Sequence, residues 1–261
     1  MLNAPAANAG ILMMRRDSFP QGRMVGFCIS AMLLVCSAAH AQVSWHGSLG
    51  VTSDYVQTGV SQTRGASALQ GGLRADVGTR WSVGVWGSQI DRNRGPGATY
   101  EIDAYLTHAW QVTPDWVATT TATHYFFPND TSFLRYDYDE LALTVGYRAK
   151  VFTSVVWSPN MSEGTRTGIA EKKEAWAYEL TMNQPLVRAL SWNAGVGRRD
   201  LSALFGESYW YGHAGLSYTA ANLGLHLTYA RADGTAHRMF GDERAAVSLI
   251  GAIIWKFSSG D

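Results

Sequence analysis

A scattered set of polar side chains could do chemistry together: His46, Gln70, Arg74, Asp76, Glu101, Asp103, Tyr105, Arg148, Glu179, Tyr209, Tyr211, His213, His226 and Lys256. Each falls on the polar side of a run in which apolar and polar residues alternate. Gathered round one space, they would offer a hydrated solute donors, acceptors and charges of both signs. Acidic and basic members nearly balance, so no strong preference for cations or anions follows from the list. Such charges must pair or stay hydrated, because an unpaired ion in a low-dielectric space is expensive. Two readings stay open: charged pairs that buttress a mostly filled interior, and the walls of a narrow, polar, water-filled passage.

Other chemistries have weaker support. His46-Gly47-Ser48 puts a histidine and a serine on one face, and a Ser–His pair is the start of a hydrolytic site. Barrel phospholipases continue their His-x-Ser motif with Asn-Gly-Arg. Here Leu49-Gly50-Val51 follows, so no enzyme and no cofactor are expected. Asp137-Tyr138-Asp139-Glu140 lacks the ligand spacing of a known calcium loop and reads as a solvated acidic loop. Zero formal net charge gives no electrostatic footprint for nucleic acid.

The elements that must position these residues are legible in composition and period. Charged residues are only 16% of the chain against about 25% in ordinary soluble domains. Aromatics reach 12%, glycine is abundant, and mean hydropathy is a neutral −0.10. That mixture fits a membrane β-barrel, whose two faces average out in any hydropathy window. Arg15, Arg16 and Arg23 precede an apolar run from Phe27 to Ala39, closed by Ala39-His40-Ala41. This is a signal peptide over residues 1–41, with a barrel over 42–261. Both cysteines, Cys28 and Cys36, lie inside the leader, so disulfides and thiolate chemistry are excluded from the rest.

After Ala41, twelve runs with period-two alternation follow one another. In the first, Val43, Trp45, Leu49 and Val51 alternate with Ser44, His46, Ser48 and Gly50. In the last, Val247, Leu249, Ile253, Trp255 and Phe257 mark the apolar face. A Thr-rich run from Trp116 to Phe126 has no assignable facing. Connections after even-numbered runs are short, as at Gly78-Thr79-Arg80, Thr113-Pro114-Asp115, Ala149-Lys150, around Gln184–Ala189 and at Thr219–Asn222. Those after odd-numbered runs are long and polar, near 53–67, 91–99, 128–137, 158–174, 198–208 and 231–244. An all-β, antiparallel, up-and-down transmembrane barrel in the bacterial outer membrane sorts its loops this way. Trp45, Trp81, Trp110, Trp116, Trp192, Trp255 and Phe257 fall at the short-turn ends, and Trp157, Trp176 and Trp210 at the loop ends, matching aromatic girdles.

The stretch SDYVQTGVSQT (Ser53–Thr63) is followed by ALQGG (Ala68–Gly72), GVWGSQID (Gly84–Asp91) and YEIDAYL (Tyr100–Leu106). Together they resemble the proteobacterial TorF-like porins, the Gcw family of unknown function, and Trp157-Ser158-Pro159 is similar to a later aromatic-Ser-Pro element. The resemblance is specific over residues 47–112. It implies a porin-like outer-membrane barrel without a settled substrate. The chain departs from the pattern at Thr58, where an arginine is common, and at Ser67, where a proline is usual. The expectation is therefore a channel for passive diffusion of small hydrophilic solutes. Its alternative is a non-conducting structural or adhesion barrel acting through its long loops. Expected partners are outer-membrane lipid and lipopolysaccharide, small hydrophilic solutes, and the barrel-assembly machinery through the C-terminal strand. The first strand is expected to run past Val51, bend near Gly59 and cross the outer rim.

Overall fold

The computed structural model describes residues 42–91, 99–128, 130, 136–162 and 172–259. The leader expected over residues 1–41 lies outside them. Among the described residues twelve antiparallel strands close into one barrel, in which each strand pairs with its neighbours in sequence and the first meets the last. The wall is built from β1 (Val43–Thr52), β4 (Ala68–Val77), β5 (Trp81–Gln89), β6 (Tyr100–Gln111), β7 (Trp116–Phe126) and β8 (Tyr138–Tyr147). It continues through β9 (Val151–Met161), β10 (Lys173–Val187), β11 (Leu190–Leu201), β12 (Glu207–Ala220), β13 (Leu223–Ala232) and β14 (Ser248–Ser258). Two further short strands, β2 (Val56–Gln57) and β3 (Val60–Ser61), form a separate hairpin.

Closure follows from β1, which pairs with β4 from Val43↔Val77 to Thr52↔Ala68 and with β14 from His46↔Ser258 to Thr52↔Ala252. A sheet without edges leaves no row of unsatisfied N–H and C=O groups to face hydrocarbon. Alternation then decides which side each residue takes. Leu49, Val51, Leu73, Val83, Leu141, Leu225, Leu227 and Ile253 all point outward and are about half exposed on the isolated chain. No helix among the described residues is long and apolar enough to cross a membrane, so the span is made by strands. The outward tryptophans Trp45, Trp81, Trp110, Trp116 and Trp255 lie at the short-turn rim, and Trp210 stands at the opposite one. On the loop side Trp157 and Trp176 pack at 6.1 Å between ring centroids. These girdles and the apolar belt between them make this an outer-membrane barrel.

Several boundaries differ from the sequence reading. β7 turns Thr119, Thr121 and Thr123 inward and Ala118 and Ala122 outward. Of these hydroxyls, that of Thr121 is tied to the neighbouring strand through Thr107 at 2.9 Å; one strand further on, Thr144 and Ser154 pair in the same way at 2.8 Å. Tyr138 to Glu140 is not solvated loop: β8 begins at Tyr138, and Glu140 is buried. The turn expected over Gln184–Ala189 shrinks to two residues, because β10 continues through Pro185 with a bulge between Pro185 and Val187. A bulge tolerates the missing proline N–H. The loops expected at 158–174 and 198–208 lose their first residues to β9 and β11, which run on to Met161 and Leu201.

Candidate functional site in the lumen

The largest difference concerns residues 53–63. They do not stand at the outer rim; they fold back into the barrel. Thr58 (φ 46°) and Gly59 (φ 77°) both adopt left-handed backbone, the geometry of a type I′ hairpin tip. A side chain on Gly59 would also meet the lumen wall, since its Cβ would lie 2.5 Å from that of Tyr211. Only glycine satisfies both conditions. The hairpin is fastened at its base by Asp54, whose buried carboxylate accepts from Ser61 Oγ (2.5 Å), Thr63 Oγ1 (2.7 Å) and Ser248 Oγ (3.0 Å). At its tip Thr58 Oγ1 lies 3.1 Å from the Tyr209 hydroxyl on β12.

Around the hairpin the extracellular half of the lumen is packed. Tyr55 and Trp86 meet edge to face at 5.4 Å, and Tyr125 stacks on Tyr138 at 4.3 Å. From the β13–β14 connection, α2 (Gly234–Phe240) and α3 (Asp242–Ala245) close over the same cluster, after the single turn α1 (Ser202–Phe205). Asp233 caps α2 by accepting from the backbone N–H of Thr235 and Ala236. Phe240 packs on Tyr209 at 5.7 Å, and Arg244 Nε donates to the Ser61 carbonyl.

Charged groups sit inside this packed layer. Arg199 is buried and reaches Glu140 Oε1 at 3.3 Å and Met161 Sδ at 3.1 Å. Glu140 also accepts from the Tyr125 hydroxyl at 2.9 Å. Tyr211 donates to Glu179 at 2.8 Å, and its ring lies flat over Gly197, where any Cβ would come within 2.3 Å of it. Tyr55 donates to Glu101 Oε1 at 2.8 Å. Burial, then the carboxylates of Glu101 and Asp103, push the Tyr55 phenol well above its ordinary range, so it stays a donor. Between the hairpin and β8–β12 a cavity of about 50 Å³ remains, lined by Gln57, Thr58, Glu140, Glu179 and Arg199 among others. That is room for about three waters.

The periplasmic half is different. Asp76 pairs with His46 Nε2 at 3.2 Å and Arg74 Nε at 2.9 Å, and accepts from Ser82 Oγ at 2.6 Å. Tyr105 lies over Gly84. His226 contacts Ser217 Oγ at 2.9 Å, His213 is half-buried, and Lys256 is exposed at the mouth. Gln70 is higher in the wall and donates to Ser88 Oγ at 3.2 Å. The side chains singled out in the sequence therefore divide into two layers. Glu101, Asp103, Glu179, Tyr209 and Tyr211 join the packed layer; His46, Arg74, Asp76, Tyr105, His213, His226 and Lys256 line the open end. Arg148 belongs to neither. It occupies the β8–β9 turn with φ 51°, and its guanidinium pairs with Asp115 of the adjacent turn at 3.2 Å. The expected lumen facing is corrected there, because Arg148 lies beyond the strands in the three-residue turn between Tyr147 and Val151, at the rim and outside the lumen. Glu140 and Arg199 were absent from the sequence-derived set. Arg199 continues the parity of Gly195 and Gly197, the signal that would have turned it inward.

Closed wall, apolar belt and polar interior define an outer-membrane barrel of the porin type. The chain belongs to a bacterial family of proteins of unknown function, Gcw_chp, which it matches over residues 37–257. No curated protein sequence matches it. Among solved structures it is similar to the NanC porin, with 7% identity over 83% of this chain and 99% of that one, at a TM-score of 0.53. A membrane protein from work on in-meso crystallization aligns at TM-score 0.52 and 12% identity, covering 83% of this chain and 85% of that one. The KdgM porin aligns at 0.49 and 5%, over 82% and 98%. At such identities the likeness is one of fold.

Proposed function

We propose that this barrel is a TorF-like, porin-type channel for passive diffusion of small hydrophilic solutes, constricted by its own inward hairpin. The observation that carries the reading is the division of the lumen. A polar vestibule open to the periplasm ends at a plug that is connecting segment, not wall. At its base the Asp54 carboxylate gathers Ser61, Thr63 and Ser248, beside backbone bonds from Ser53 N to the Gly251 carbonyl and from Asp91 N to the Gln62 carbonyl. A structural barrel would gain by filling the whole interior; here only the extracellular half is packed. The lumen carries no enzyme in this reading: His46 of the His-x-Ser motif is engaged by Asp76, not Ser48. Lipid surrounds the belt, lipopolysaccharide phosphates meet exposed Arg198 and Arg231 near the outer rim, and β14 with Phe257 is presented to the assembly machinery. Nucleic acid has no part in it. The test is refolded protein in planar lipid bilayers. Discrete conductance steps support the channel, whereas a folded barrel with neither conductance nor liposome swelling establishes the non-conducting alternative.

A further inference from the structure

The packed layer is filled unequally on the two sides of the hairpin. Toward β5–β7 aromatic rings close it: Tyr55 meets Trp86 edge to face, Tyr125 stacks on Tyr138, and Phe127 stands 6.3 Å from the same Tyr138 ring. Ser88, on the same side, is 5% exposed. Toward β9–β11 the cavity of about 50 Å³ separates the hairpin from the wall. The sequence accounts for the gap. Ser154, Ala177 and Gly197 are inward residues on three adjacent strands, and none carries bulk. The rings of β12 are laid against the wall instead of across the lumen, Tyr211 over Gly197 and His213 over Gly195, where a Cβ would lie 2.4 Å from the imidazole.

One buried group faces this gap unanswered. Gln62 is 3% exposed and lines the cavity. Its amide nitrogen donates to the Val60 carbonyl at 2.9 Å, while its Oε1 has no partner among the described residues. A buried acceptor left so is costly, and a mobile donor in the cavity removes that cost. Gln57, Thr58 and Glu179 supply further polar atoms, so the space suits water or a solute hydroxyl better than an apolar filling.

We propose that the passage through the packed layer runs along this one side, between the hairpin and β9–β11, and that Gln57, Gln62 and Glu179 are the side chains a solute meets in it. The two sides differ in what must yield. Here it is a neutral, part-buried contact between Thr58 and Tyr209, whose partners water can replace. On the other side it is the buried hydrogen bond from Tyr55 to Glu101, beneath the pair with Trp86. The inference rests on the channel reading, because it assigns the route of that channel.

The experiment is cysteine modification of the full chain folded in lipid bilayers, with Cys28→Ser and Cys36→Ser as background and a small hydrophilic methanethiosulfonate as the reagent. Gln57→Cys and Ala177→Cys face the cavity from the hairpin and from the wall; Ser88→Cys and Thr123→Cys lie on the aromatic side. The first two are expected to react and to lose conductance on reaction. The second two are expected to react at least about tenfold more slowly, the equivalent of one buried hydrogen bond to a carboxylate, with conductance unaltered. Mass spectrometry reads the reaction, and heat-modifiable gel mobility confirms that each variant is folded. Should Ala177→Cys fail to fold, Ser154→Cys takes its place on the wall. Equal rates on the two sides, or faster reaction and block at Ser88→Cys and Thr123→Cys, would overturn the route. The expected contrast in rates in a barrel that conducts nothing would sink the channel reading and leave the water-connected side as assigned.

Discussion

Replacing Asp54 by alanine should free the hairpin while leaving the barrel intact. The carboxylate accepts three hydroxyl hydrogen bonds, from Ser61, Thr63 and Ser248, and is almost wholly buried. Hydrogen bonds to a charged group contribute about 1.5–3 kcal/mol each, a gross sum near 4–9 kcal/mol. The hydroxyls regain water once the hairpin leaves, so about half of that, roughly 2–4 kcal/mol, is the expected shift in the docking equilibrium. Each 1.4 kcal/mol is tenfold, so the undocked population should rise about 30- to 1000-fold. The wall should not notice, because β1 ends at Thr52 and its ladders to β4 and β14 involve none of these side chains. The assay is single-channel recording, comparing open probability in Asp54→Ala, Asp54→Asn and the parent, with heat-modifiable gel mobility confirming a folded barrel. Asparagine keeps an acceptor for Ser61 and Thr63 and should fall between the other two. Parent-like gating in a folded Asp54→Ala barrel would refute the reasoning, since it would mean the hairpin is held by its aromatic contacts or does not limit the pore.

Further outcomes follow from the same geometry. Gly59→Val should also undock the hairpin, through a positive φ that a β-branched residue resists and a collision with Tyr211, and should raise conductance without changing the thermal transition of the barrel. Arg199→Met leaves Glu140 buried and without its cation, which should cost about 3–5 kcal/mol in urea unfolding, most of it recovered when Glu140→Gln is added. Leu227→Arg places a charge in the middle of the lipid-facing side of β13 and should cost about 2–4 kcal/mol in a folding titration into lipid vesicles. Arg148→Ala should alter neither selectivity nor folding yield, because the side chain lies in a turn outside the lumen.

The wall was readable in the sequence because the bilayer imposes a period-two rule on every strand. Lipid allows few exceptions on the outer face, so Leu223, Leu225, Leu227 and Tyr229 declare their side without reference to any other strand. Misreadings fell where that rule relaxes. Tyr138 to Glu140 and Arg198 to Leu201 are strand ends beyond the hydrocarbon, where polar residues occupy both faces and the alternation stops being visible. Thr119 to Thr123 gave no facing because threonine suits lipid, lumen and sheet alike.

The lumen was less legible for a different reason: its contacts join residues far apart in the chain. Tyr55 to Glu101, Thr58 to Tyr209 and Arg199 to Glu140 depend on how far round the barrel each strand lies, which alternation does not encode. The opening polar stretch Ser53–Thr63 could be recognised as loop, but its direction rests on Asp54 finding Ser248 on the last strand. One local signal did point inward. Thr58-Gly59 between Val56 and Val60 is a tight-hairpin pattern, and its apolar flanks had to be buried in something. In a barrel whose outside is lipid and whose rim is water, the one remaining place to bury Val60 and Tyr55 is the lumen. A polar loop carrying a short hairpin with apolar flanks is therefore itself an argument for a plug, and here it fills part of the interior of a twelve-stranded ring.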